Sequence, residues 1–276
     1  MTFTDIHLDL LRSIIHEAAE IEIVPRFRSL QPTDISTKKS VIDVVTDADT
    51  LAERRITEAI QLNFPTALVF GEEAASLEPA VMDGLADAEL AFIIDPVDGT
   101  LNFVKGLPLF GTLLSVVSKG ETIAGLIYDP LNQTFLMASK GAGARQIFSD
   151  GREWAVRAAA PVDLSEMSGS MCWMFFPEPD KSRVGANLSK FKTFHGLNCS
   201  VYDYWMVATG TAHFTANFCG HVWDHLPGTL IHSEAGGYNA RFDGTPYTVA
   251  GEGPNVLSAP DKDSWEMIRR EVLGLD

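Results

Sequence analysis

The chain has 276 residues, 46% hydrophobic and 21% charged, enough for one large domain or two closely joined ones around a substantial core. Its 21 Lys+Arg against 37 Asp+Glu leave a formal net charge of −16. That balance argues against broad nucleic-acid binding and against an anionic membrane surface, both of which draw on Lys and Arg.

Residues 4–24 place Ile6, Leu10, Ile14, Ala18 and Ile21 at three- and four-residue intervals, which predicts an amphipathic helix that Pro25 stops. Asp5, His7, Asp9, Arg12 and Glu17 within it argue against its being a signal peptide, and none is expected. A second helix is expected from near Asp49 to before Pro65, with Leu51, Ala52, Ile56, Ala59 and Ile60 inward. Ala67–Phe70 and Ala91–Ile94 read as short buried strands. Between 110 and 148, runs bounded by Gly at Thr112–Ser118, Thr122–Tyr128 and Thr134–Ala138 suggest an antiparallel meander. Residues 151–168 have little periodicity and are expected to join two halves, 1–150 and 151–276, which could equally form one integrated domain over 1–276. The second half should alternate: an apolar strand at Met171–Phe176, a helix at Val201–Thr209, a strand at Ala212–Phe218 and a helix at Asp224–Ala235. The pair Gly236-Gly237 should end that helix. A strand at Asn255–Leu257 and a final helix holding Trp265, Ile268 and Val272 complete the chain. This order fits a layered α/β (α+β) sandwich better than a doubly wound nucleotide fold, and neither Gly-x-Gly-x-x-Gly nor a P-loop is present. The cysteines Cys172, Cys199 and Cys219 are widely spaced and odd in number, and no apolar run approaches the ~20 residues of a membrane span; a reduced, cytoplasmic protein is expected.

The chemistry concentrates in acids near element ends. Asp95-Pro-Val-Asp98-Gly-Thr follows the strand Ala91–Ile94, and an unpaired acidic pair cannot be buried there cheaply. Either Asp95 and Asp98 are solvated in a turn or a cation sits between them. Taken singly, Asp49 and Asp224 read as helix N-caps, Glu72-Glu73 as a solvated turn, and Asp203 as a helix-start acid and no more. Taken together, Glu72, Asp95 and Asp98 can converge on one sheet edge. A site of carboxylates and a carbonyl suits hard cations, Mg²⁺ or Mn²⁺. Gly99 lets a ligand approach the backbone, free N–H groups at a helix start there would face an anion, and the Thr100 hydroxyl can orient a water. His221, His225 and His232 lie close in sequence, but His225 and His232 are helix positions and show no zinc spacing.

Asp95-Pro-Val-Asp98-Gly-Thr100-Leu-Asn102-Phe103 resembles the signature of the inositol monophosphatase family. Trp223-Asp224 through Gly236-Gly237 is similar to the family's second signature, and Val45–Asp49 and Gly71-Glu72-Glu73 fall in its usual order. The resemblance implies the five-layer αβαβα fold shared with fructose-1,6-bisphosphatase. It also implies Mg²⁺-dependent, lithium-sensitive hydrolysis of a small phosphate ester by an activated water, in a homodimer. Two or three metals are implied: Glu72, Asp95 and the Val97 carbonyl for the first, Asp95, Asp98 and Asp224 for the second, and Glu72 for a weaker third. Asp49 and Thr100, with Glu72, match the water-activating residues, and Gly99 and Thr100 the phosphate cradle. Asp98, Cys199, Ser200, Asn217 and Asp224 match substrate-side positions, and Lys38 or Lys39 a flap near the metals.

Inositol monophosphate is the first candidate substrate. Histidinol phosphate, 3′-phosphoadenosine 5′-phosphate and fructose 1,6-bisphosphate are substrates of sister groups. Between Asn198 and Asn217 the chain departs from the inositol pattern. Asn198-Cys199-Ser200-Val201-Tyr202 replaces a run of small residues, and Asn217 stands where relatives carry a Glu. The family also contains regulatory members that act in RNA-processing and transcription complexes, which is the alternative from another class.

Overall fold

The computed structural model describes residues 5–40, 43–78, 82, 84–218, 220–250 and 255–275, without the side chains of 5, 32, 37–40 and 43. Cys219 and the side chains of Lys38 and Lys39 therefore lie outside the described residues.

Two large sheets organise the chain, beside a two-stranded antiparallel ribbon of β1 (Ile35–Ser40) and β2 (Asp43–Thr46). The larger has seven strands in the order β3-β4-β5-β6-β7-β8-β9: Leu68–Gly71, Ala91–Asp98, Gly111–Ser118, Glu121–Asp129, Thr134–Ser139, Ala144–Ile147 and Glu153–Ala155. Only β3 and β4 run parallel; the rest form the expected meander, lengthened at its far edge by β8 and β9. Its central strands are buried on both faces, so they read as continuous apolar runs rather than alternating ones. Alternate residues still separate: Phe92 and Ile94 face α1 (Asp5–Ala18) and α2 (Asp47–Asn63), while Ile93 packs with Trp223 and Leu226.

The smaller sheet has the order β11-β10-β12-β14-β13: Thr193–His195, Ser168–Met171, Phe214–Asn217, Val256–Ala259 and Tyr238–Ala240. Its outer face packs on α5 (Asp180–Asn187) and α8 (Lys262–Ile268) through Met171, Phe214, Leu257, Val184, Trp265 and Ile268. Between the sheets lie α6 (Ser200–Ala208) and α7 (Val222–Glu234). Val201, Tyr204, Val207 and Ile231 of these helices meet Leu113, Ile127 and Leu136 of the large sheet. The layers thus run αβαβα. Helix α7 approaches the large sheet so closely that a Cβ on Gly125 of β6 would lie 2.7 Å from the Pro227 carbonyl oxygen. Gly236, at φ +96°, ends α7 as its sequence position suggests.

Two expectations about elements need correction. Of the stripe Ile6–Leu10–Ile14–Ala18–Ile21 only the middle faces the core: Ile14 and Ala18 are buried and Leu10 partly so, but Ile6 is 80% and Ile21 43% exposed. The buried face is Leu8, Leu11, Ile14, Ile15, Ala18 and Ala19. Steps of four overrun a 3.6-residue turn by about 40° each, so a stripe built mainly from them winds off the core. The run Met171–Phe176 is not one strand either; β10 ends at Met171 and Trp173–Phe175 form a 3₁₀ turn. Among the described residues no helix is long and apolar enough to cross a membrane.

Candidate active site

Asp95 and Asp98 are three residues apart, and in a regular strand that odd spacing would send them to opposite faces. The register with β5 shifts between them: Asp95 pairs with Leu113 and Asp98 with Gly111, so three steps on β4 match two on β5. This bulge turns both carboxylates to one side. Pro96 sits in the bulge, and its carbonyl accepts from the Thr112 hydroxyl (2.9 Å). Asp224, in the first turn of α7, joins them; carboxylate oxygens of Asp95, Asp98 and Asp224 lie within 4.8 Å of one another.

Two of these three acids, Asp98 and Asp224, are held by different devices. Asp98 lies at the N-terminus of α6, where its Oδ2 accepts from the Val201 N–H (2.7 Å) and the Cys199 thiol (3.0 Å), and its carboxylate also takes the Ser200 N–H. The orphan N–H groups and dipole of α6 favour a negative charge there. Asp224 binds back to the His221 N–H within a capping box. It is therefore the third helical residue, with His221 as the cap, not the N-cap that the isolated reading allows. Asp49 is corrected in the same way. Thr46 caps α2, and Asp49 accepts from its N–H (2.9 Å) and hydroxyl (2.6 Å). A reciprocal box satisfies two orphan donors and is worth about 1 kcal/mol at the cap.

That box leaves the other oxygen of Asp49 for Thr100, whose hydroxyl lies 3.1 Å from Asp49 Oδ1 and 2.9 Å from the Val97 carbonyl. Thr100 opens a short helix, α4 (Thr100–Val104), capped by Gly99 at φ +85°. Any side chain at 99 would meet that left-handed backbone, and its Cβ would lie 2.6 Å from the Leu109 carbonyl oxygen. Glu72 is the first residue of α3 (Glu72–Leu77), where it contributes a negative field at Asp49, Asp95 and Asp98.

The electrostatics match the geometry. Burial, then repulsion from Glu72, Asp98 and Asp224, raises the Asp95 carboxyl well above the usual carboxylate range. Burial pushes Asp98 up to about 6, against the hydrogen bonds that favour its charge. Asp49 is pushed up to about 7, chiefly by burial. Asp95 Oδ1 is buried with no hydrogen-bond partner. A buried, orphaned carboxylate oxygen facing other acids is costly alone and well served by a hard cation. Asp95, Asp98 and Asp224 form an all-carboxylate cluster of the kind that suits a hard cation such as Mg²⁺ or Mn²⁺.

The remaining sequence candidates divide. Cys199 and Ser200 are brought to Asp98, but the Cys199 thiol is held neutral by burial and by Asp98, and its hydrogen goes to that carboxylate. Asn217 ends β12, buried, with its amide donating to Thr215 (3.2 Å). His225 and His232 are indeed helix positions, bonded to Tyr204 (3.2 Å) and Asn239 (2.9 Å).

Two acids carry more than their sequence context suggests. Glu53, buried on α2 one turn beyond Asp49, accepts from the N–H groups of Glu73 (2.7 Å) and Ala74 (3.0 Å) and so pins the start of α3 behind Glu72. Its signal was the i, i+4 spacing from Asp49 on a helix face otherwise apolar. Asp203 is buried in α6 and pushed up to about 7 by burial, opposed by a bond from Ser170. Isolated in sequence, it offered no such signal.

The sequence matches the model of the inositol monophosphatase family over residues 9–272. It is 30% identical to the Nus factor SuhB of Haemophilus influenzae over 252 residues, 87% of this chain and 88% of that protein. The fold is similar to that of the extragenic suppressor protein suhB from Bartonella henselae, with a TM-score of 0.77 and 24% identity over 96% of this chain and 97% of that one. It is also similar to the Thermotoga maritima IMPase, with a TM-score of 0.73 and 25% identity over 98% and 94%.

Proposed function

The chain belongs to the inositol monophosphatase family, and we propose that it is a Mg²⁺-dependent phosphomonoesterase acting on a small phosphate ester, with inositol monophosphate the first candidate. The observation that carries this reading is the orphaned Asp95 oxygen among Asp98, Asp224 and Glu72. Glu72, Asp95 and the Val97 carbonyl would hold one Mg²⁺, and Asp95, Asp98 and Asp224 a second. Bound there, Mg²⁺ would act as a Lewis acid, favouring ionisation of a water and offsetting charge on the departing alkoxide.

The chain's own groups supply the rest. The Thr100 hydroxyl donates toward Asp49 Oδ1 or the Val97 carbonyl, so its free lone pair can accept from a water and orient it toward phosphorus. As that water gives its proton to the Thr100 oxygen, the Thr100 hydroxyl gives its own proton to Asp49 Oδ1, in a carboxylate that Thr46 fixes in place. The N–H groups of Gly99 and Thr100, at the start of α4, would hold the phosphoryl oxygens. No covalent phosphoenzyme is needed, and the committed thiol of Cys199 is not a nucleophile. Cys199, Ser200 and Asn217 remain our candidates for the substrate side. We further propose a cytoplasmic homodimer with halves 1–150 and 151–276, inhibited by lithium.

A second reading is favoured by the similarity to Nus factor SuhB: a regulatory role in transcription, separate from hydrolysis. A phosphate-release panel with Mg²⁺ separates them. Inositol monophosphate, histidinol phosphate, 3′-phosphoadenosine 5′-phosphate and fructose 1,6-bisphosphate are the substrates to test. Turnover of any supports the enzyme; silence on all of them favours the regulatory role.

A further inference from the structure

The run Trp173-Met174-Phe175-Phe176 follows β10 and is pinned at both ends. Trp173 lies against Gly185 of α5, where an added Cβ would come within 3.2 Å of the indole. Phe176 is buried and packs against Phe218 and Phe242, with ring centroids 4.8 and 5.8 Å away. The backbone closes the turn, with Cys172 N–H donating to the Ala216 carbonyl and Phe176 N–H to that of Trp173, both at 3.2 Å. The two middle residues are left facing out: Met174 is 53% and Phe175 38% exposed.

Single exposed apolar residues are ordinary on protein surfaces. This pair differs in its location. Met174 and Phe175 line a cleft of ≈ 370 Å³ together with Glu72, Gly99, Thr100 and Lys105. One cleft therefore holds Gly99 and Thr100, the residues proposed to cradle phosphate, Glu72, the proposed metal acid, the exposed Lys105 and an apolar wall. Ligand pockets combine apolar lining with a few placed polar groups in this way. Gly99 and Thr100 line this cleft, so a phosphate ester seated on them can place its alcohol against the apolar wall. A thioether and a phenyl ring, both presented by an anchored turn, suit the flat face of an aromatic or other apolar group.

We propose that Met174 and Phe175 receive the leaving alcohol, and that they select phosphate esters whose alcohol has an aromatic or apolar face over uniformly polar ones. This rests on the phosphatase reading and reorders its substrates: histidinol phosphate and 3′-phosphoadenosine 5′-phosphate, each with an aromatic face, should be turned over with higher kcat/KM than inositol monophosphate, whose alcohol is polar all round.

The test compares kcat/KM for benzyl phosphate and glycerol 2-phosphate with Mg²⁺ present. Both release an aliphatic alkoxide, so leaving-group acidity contributes little to the comparison. The wild type should favour benzyl phosphate. Met174→Ser/Phe175→Ser should lower the benzyl-to-glycerol ratio about tenfold, mainly through KM for benzyl phosphate, as expected for losing part of two apolar contacts. Met174→Leu/Phe175→Leu should keep most of the preference, and if the serine pair does not fold, Phe175→Gln alone supplies the same readout. An active wild type whose ratio does not respond to these changes overturns this inference alone. A wild type that releases phosphate from neither ester nor from any of the four metabolites overturns the phosphatase reading and this inference with it.

Discussion

Replacing Asp98 by Asn should stabilise the metal-free protein while removing its response to Mg²⁺. Asp98 is buried, and its carboxyl is pushed from an ordinary 3.8 up to about 6. A displacement of that size corresponds to a cost on the order of 3 kcal/mol whenever the folded carboxylate must be ionised. Above about pH 6 the folded protein bears that cost in full; it shrinks as pH falls and vanishes below the unfolded value of 3.8. An Asn keeps the shape and can still accept from the Val201 N–H, but carries no charge beside Asp95 and Asp224. The gain should therefore be about 1–3 kcal/mol at pH 8, allowing for an amide whose own hydrogens need partners. At about 2–4 °C per kcal/mol in a chain of this size, the metal-free melting temperature should rise by several degrees. At pH 4 the two proteins should melt nearly together. Adding Mg²⁺ at pH 8 should raise the wild type and leave Asp98→Asn almost unmoved, with most activity gone. Thermal melts at the two pH values, with and without Mg²⁺, read all of this. A metal-free variant less stable than wild type at pH 8, or equal stabilisation of both by Mg²⁺, would refute the reasoning.

Other consequences are equally direct. Thr100→Val removes the hydroxyl between Asp49 and the Val97 carbonyl at similar volume, and kcat should fall by about 10²–10⁴ with KM little changed; loss confined to KM would argue for a binding role. Gly99→Ala forces a side chain into left-handed backbone and against the Leu109 carbonyl, so a loss of about 1–3 kcal/mol in denaturant melts should accompany inactivity; wild-type stability would contradict the geometry. Glu53→Gln should weaken the hold on α3 and reduce Mg²⁺ affinity in calorimetric titration, since it pins the helix that carries Glu72; unchanged affinity would leave Glu53 purely structural. Gly125→Ala should push α7, and Asp224 with it, off the large sheet at a cost of about 1–3 kcal/mol; unchanged stability would speak against that close approach.

Much of the site was legible because acids at strand ends and before helices are expensive unless something uses them, and the motifs of the family stand in order around Asp95. What stayed hidden was geometry. The bulge at Pro96-Val97 cannot be read from the spacing of Asp95 and Asp98, because odd spacing alone predicts opposite faces. An Asp near a helix start looks the same at the cap and at the third position, and only the partners show that Thr46 and His221 take the cap. The stripe on α1 holds at Ile14 and Ala18 and leaves the core at Ile6 and Ile21, because several faces of that helix carry apolar residues and periods of 3.6 and 4 diverge over a few turns. The run Met171–Phe176 has the composition of a buried strand, yet its middle residues line a cleft. Local pattern reports that such a segment is apolar, while the anchors Gly185 and Phe242, far off in sequence, decide which residues turn inward.

The most direct measurement is phosphate release from the four candidate esters by the purified protein, titrated with Mg²⁺, beside Asp95→Asn. The account predicts turnover that rises from nothing as Mg²⁺ is added and is absent in the variant. Turnover that is indifferent to Mg²⁺, or that survives Asp95→Asn, would contradict it.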